Sequence, residues 1–103
     1  MVIRILDHVS QAATYADGEK IFGLIADPIR LREHVTLSFD GIDAVPSSFI
    51  NGAVVRLVEV VAIDVIKTQL GIIDSTRQIN NLIRDRMAFL TTLQLDRQPR
   101  FLP

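Results

Sequence analysis

The chain has 103 residues, 49% of them hydrophobic, no cysteine, and a formal charge of −1 from 11 basic and 12 acidic side chains. That length holds one domain around one core. The charge balance excludes a global attraction for nucleic acid, and the lack of cysteine excludes disulfides and thiolate chemistry.

A mean hydropathy of +0.31 is high for a small chain with much surface to cover. It fits either a buried partner surface, such as a homodimer contact, or a well-filled core. The opening Met1-Val-Ile-Arg-Ile-Leu-Asp-His8 is too short and too charged for a signal peptide. The most apolar window, Ala53 to Ile73, is interrupted by Arg56, Glu59, Asp64 and Lys67, which argues against a membrane span. A cytoplasmic, bacterial or phage-like setting is the expectation.

Val2 to Val9 is dense in β-branched side chains and reads as a strand. Ser10 to Ala13 makes a loop. A helix starts near Thr14 or Asp17, either of which can cap it, and buries Ile21, Phe22 and Ile25 with Leu24 beside them. Asp27-Pro28 should end it, because the residue before a proline is pushed out of helical geometry. Arg30 to His34 is a charged connection. Val35, Leu37 and Phe39 alternate with Thr36 and Ser38, which predicts a strand. Asp40-Gly41 breaks it, a second turn-like stretch closes with Pro46, and Ser47-Ser48 opens an aliphatic helix expected to reach about Ile63.

Asp64 to Lys67 should turn the chain into a strand from Thr68 to Ile73. Ser75-Thr-Arg-Gln78 matches a capping box, so another helix starts there. Ile79, Leu82, Ile83, Met87 and Leu90 recur at helical spacing up to about Thr92. The expected fold is thus α/β: a small, mostly parallel or mixed sheet of about four strands with three helices. The fourth would be an edge strand hidden near Arg30 to His34 or in the tail. The domain spans residues 1–93, and residues 94–103 form a C-terminal tail whose Phe101 and Leu102 are candidates for docking.

The order of blocks resembles a known family. An apolar strand, then Asp40-Gly41-Ile42, then Ser47-Ser48-Phe49 at the head of an aliphatic helix is similar to the STAS-like domains, relatives of anti-sigma-factor antagonists. The resemblance runs from about Thr14 to Arg86 and includes the later strand Leu70 to Ile73 with Asp74-Ser75 after it. It implies a non-enzymatic regulatory module that binds a protein partner, such as a histidine-kinase-like ATPase, with no cofactor. In the antagonists a serine at the helix start is phosphorylated to release the partner. The matching position is Ser48, with Ser47 beside it. The antagonist aspartate and glycine are replaced by Pro46 and Phe49.

A phosphate there would add about −1.5 to −2 charges where helix amides favour anions. The alternative is that Ser47 caps the helix and Ser48 fills its first turn. The partner-binding candidates are Ile42, Asp43, Phe49, Ile50 and Val54. Asp40 and Asp43 either line a polar mouth for a ligand, nucleotide or cation, or make turn hydrogen bonds. The serines lack a nucleophile-elbow glycine pattern, which leaves Ser48, His34 and Asp40 a weak triad. His8 and His34 lack metal-ligand spacing. Arg77, Arg84, Arg86, Arg97 and Arg100 interleave with Asp85 and Asp96 as a solvated face does. A homo-oligomer using the aliphatic second helix, and a small-ligand module, are the alternative functions.

Overall fold

The computed structural model describes residues 1–97, and only the backbone for residues 93–97. Three short strands, β1 (Val2–Arg4), β2 (Val35–Ser38) and β3 (Leu70–Ile73), form a wholly parallel sheet in the order β1-β2-β3. Val2 pairs with Thr36, and Val35 with Leu70. Four α-helices complete the fold: α1 (Tyr15–Arg30), α2 (Ser47–Ala53), α3 (Ile63–Gln69) and α4 (Arg77–Arg97). The α/β class is as expected, but among the described residues the sheet has three strands and the helices number four.

Each difference has a local cause. The first strand stops at Arg4, and Ile5–Asp7 winds into a 3-10 turn that buries Ile5. Thr14 caps α1 through a capping box with Asp17. Pro28 does not end this helix, which runs on to Arg30. So close to the C-terminus a proline forfeits a single hydrogen bond, while Ile29 extends the buried stripe of Ile21, Ile25 and Ala26. Phe22 is only half-buried and Leu24 is exposed, so the stripe is narrower than expected. Residues 31–34 form no strand.

The long aliphatic helix expected from Ser48 to Ile63 is broken. α2 ends at Ala53, a 3-10 segment covers Val55–Glu59, and α3 begins at Ile63. The residues expected as a turn, Asp64 to Lys67, lie inside α3, because Ile63 and Ile66 bury one helical turn apart while Asp64 and Lys67 face water. The third strand therefore starts at Leu70. α4 continues past Thr92 to Arg97, so residues 94–97 of the expected tail are helical. Residues 98–103, including Phe101 and Leu102, lie outside the described residues.

The core fills one side of the sheet. Ile3, Val35, Leu37 and Phe39 are buried, and Leu70 and Ile72 pack against the same cluster. The opposite face carries Val2, Arg4, Thr36, Ser38, Gly71 and Ile73 by strand alternation. Val2 is 66% and Ile73 43% exposed, so the margins of this face are open to solvent, while Ser38 near its centre is buried. α1 and α2 make the most extensive helix pair. They cross at Gly18 and Gly52, where a Cβ on Gly18 would stand 2.8 Å from the Ala53 nitrogen.

Candidate functional site

The carboxyl edge of a parallel sheet is where loops and helix starts converge in α/β folds. Here the β2–α2 connection, residues 39–46, emerges at that edge and delivers Ser47 and Ser48 to the first turn of α2. Ser47 is exposed and Ser48 half-buried, so neither hydroxyl is sealed in the core. Neither caps the helix: Pro46 holds the N-cap position and makes no side-chain cap bond. The expectation that Ser47 caps α2 is thus corrected, and the first turn of the helix is left without a side-chain acceptor.

Phe49, Ile50 and Val54 were candidates for partner contact, but they are 0%, 0% and 1% exposed. They face the core from the helix directly behind the serines, so their bulk anchors α2 instead of offering a surface. Ile42 is half-buried and Asp43 exposed, and both remain on the surface of the loop.

The two aspartates separate. Asp40 Oδ2 accepts from Arg4 Nε at 3.2 Å, and Asp7 Oδ1 accepts from Arg4 Nη1 at 2.9 Å. Asp7 and then Asp40 hold the Arg4 guanidinium still more firmly in its charged form. Ser38, 4% exposed, donates its hydroxyl to Asp74 Oδ2 at 2.8 Å and accepts from the Asp40 amide at 3.3 Å. Asp74 has a left-handed backbone (φ 55°) where β3 hands over to α4. Asp43 instead lines a shallow cavity of about 480 Å³ with Leu6, Ser10, Gln11, Ala12 and Ala44. Neither Asp40 nor the serine pair lines it, so the single mouth expected from Asp40, Asp43, Ser47 and Ser48 is not formed.

Strand β2 puts His34 at its amino end and Asp40 with Ser48 beyond its carboxyl end, so the Ser48-His34-Asp40 triad is not assembled. Among the described residues no three His, Cys, Asp or Glu side chains converge on a metal-sized position. No described helix is long and apolar enough to cross a membrane.

Sequence reasoning missed what holds the loop. Gln78 was read as the far half of a capping box with Ser75; instead Thr76 Oγ1 accepts from the Ile79 amide at 3.3 Å. Gln78 turns outward to Val45: its Oε1 accepts from the Val45 amide at 3.2 Å, and its Nε2 donates to the Val45 carbonyl at 3.0 Å. Thr76 Oγ1 donates to the Asp43 carbonyl at 2.9 Å. No spacing rule pairs residues 33 apart in sequence, so only the fold shows this contact.

The model of a family described as a STAS-like domain of unknown function matches residues 17–80, from the first turn of α1 to the first turn of α4. No curated protein and no solved structure matches the chain.

Proposed function

Because the chain belongs to the STAS-like domain family, we propose that it is a non-enzymatic regulatory module whose working surface is the β2–α2 loop with Ser47 and Ser48. The observation that carries this reading is that Ser47 is exposed and Ser48 half-exposed at the head of a helix whose other side is locked into the core. A phosphate on either serine would place about −1.5 to −2 charges on the surface without entering the core. The partner would meet Ile42, Asp43 and the serines, and the added charge would change that contact. A histidine-kinase-like ATPase is the partner class that the family resemblance favours.

The test is incubation of the purified chain with such a kinase and ATP, read by intact-mass and peptide mass spectrometry. One added phosphate on the peptide containing Ser47 and Ser48, absent in the Ser47→Ala/Ser48→Ala variant, supports the reading. Binding of the kinase that is indifferent to Ser48→Asp, Ser47→Asp and Asp43→Lys removes this surface from consideration.

A further inference from the structure

Val45 is 4% exposed, so its backbone amide and carbonyl are shielded from water and need partners inside the protein. The Gln78 side chain satisfies both, as a neighbouring strand would. The Thr76 hydroxyl holds the Asp43 carbonyl two residues earlier. These three bonds all come from residues 76–78, at the entry to α4. Among the described residues, the other hydrogen bonds to residues 40–46 lie at the two ends of the loop: Arg4 to the Asp40 carboxylate, the Asp40 amide to Ser38, the Ile42 amide to the Phe39 carbonyl, and the Phe49 amide to the Pro46 carbonyl.

We infer that the start of α4 is a latch on the loop that feeds Ser47 and Ser48, and that α4 and the serine pair are coupled through it. The latch has two discrete states because Val45 cannot stay buried without Gln78. If α4 shifts and withdraws the side chain, the two orphaned backbone groups must reach water, and the loop comes out with them. The junction has one fixed point: Asp74, in left-handed geometry, joins β3 to α4 and is tied to β2 through Ser38. Beyond the latch α4 runs on for a further five turns or so, with Arg77, Arg84, Asp85 and Phe89 exposed along it. By reciprocity, modification of the serines that favours the released loop shifts α4 by the same free energy.

The regulatory use of the latch rests on the reading of Ser47 and Ser48 above; the latch itself does not. Amide hydrogen exchange, followed by mass spectrometry on the full chain without any kinase, keeps the two apart. Gln78→Ala and the similarly shaped Gln78→Met both remove the paired bonds at an exposed position, so folding is retained. Exchange in the segment from Ile42 to Ile50 is expected to rise about tenfold, while β1 and β2 keep the wild-type rate. Unchanged exchange in that segment, or an equal rise across the sheet, overturns the latch. A latch confirmed in a chain that no kinase modifies would leave the mechanics standing and the serine reading refuted.

Discussion

Gly18 of α1 and Gly52 of α2 stand backbone against backbone: a Cβ on Gly52 would fall 3.2 Å from the Glu19 nitrogen and overlap the Tyr15 carbonyl oxygen outright. Both neighbours are main-chain atoms, so neither can rotate away. Gly52→Ala is expected to destabilise the fold by about 1–3 kcal/mol, the range of overpacked cores. Urea denaturation should show a lower midpoint with an unchanged slope. An alanine variant as stable as wild type would mean that the two helices do not touch here.

Ile50 and Ile42 should respond oppositely to a charge. Ile50 is fully buried, so Ile50→Glu strands a carboxylate in the core and is expected to unfold most of the population. Ile42 lies on the half-exposed loop, and Ile42→Glu should keep the far-ultraviolet circular dichroism of wild type. Loss of partner binding in Ile42→Glu then reports on the surface, whereas loss in Ile50→Glu reports only on folding.

Arg56 makes two contacts with α1 at once. Its Nη1 lies 2.7 Å from Glu19 Oε2, and its guanidinium sits 4.5 Å from the centroid of the Phe22 ring. Both groups of the ion pair are partly solvated, so the bridge alone is worth little. Arg56→Ala is expected to cost about 1 kcal/mol, mostly from the aromatic contact. A double-mutant cycle with Glu19→Ala should give a coupling of a few tenths of a kcal/mol that shrinks in salt.

Asp17 carries a pH dependence. The Ala13 amide, followed by the Thr14 hydroxyl and amide, stabilises its carboxylate, so its pKa lies below the ordinary 3.8 despite an opposing contribution from burial. The unfolded chain therefore takes up a proton at higher pH than the folded one. This contribution is complete above the ordinary value and is lost as pH falls below 3.8 through the folded value. Wild type should exceed Asp17→Asn in melting temperature by a constant margin above about pH 5, the margin closing as pH drops below 4. A margin that widened on acidification would contradict the capping geometry.

Short-range chemistry was legible in the chain. Thr14 was named as one of two caps for α1, β2 was placed to within a residue, and the strand-loop-serine unit stands where its spacing put it. Periodicity failed between Ser48 and Ile63 because aliphatic residues fill solvent-facing as well as buried positions there, Val60 being 45% exposed and Val55 and Val58 half-buried, so no polar face marks the breaks. Phe49, Ile50, Ala53, Val54 and Leu57 are all enclosed, and the bend near Val54 leaves no trace in hydropathy. The same ambiguity made Phe49, Ile50 and Val54 resemble an interaction surface. Gln78 was legible as a polar side chain at a helix start, but its true partner depends on how β3 and α4 return past the loop.

Among the described residues the sheet contains no hairpin. Val2 waits for Thr36, and Val35 for Leu70, so each pairing closes a loop of more than thirty residues before any ladder bond forms. Strands of three and four residues cannot repay that entropy alone, whereas the Gly18–Gly52 crossing closes a loop of similar length but joins the most extensively packed pair of helices, which makes its docking the natural first event. Stopped-flow refolding should thus be slowed by Gly52→Ala as much as the native state is weakened, while Ile73→Ala at the sheet margin should mainly hasten unfolding.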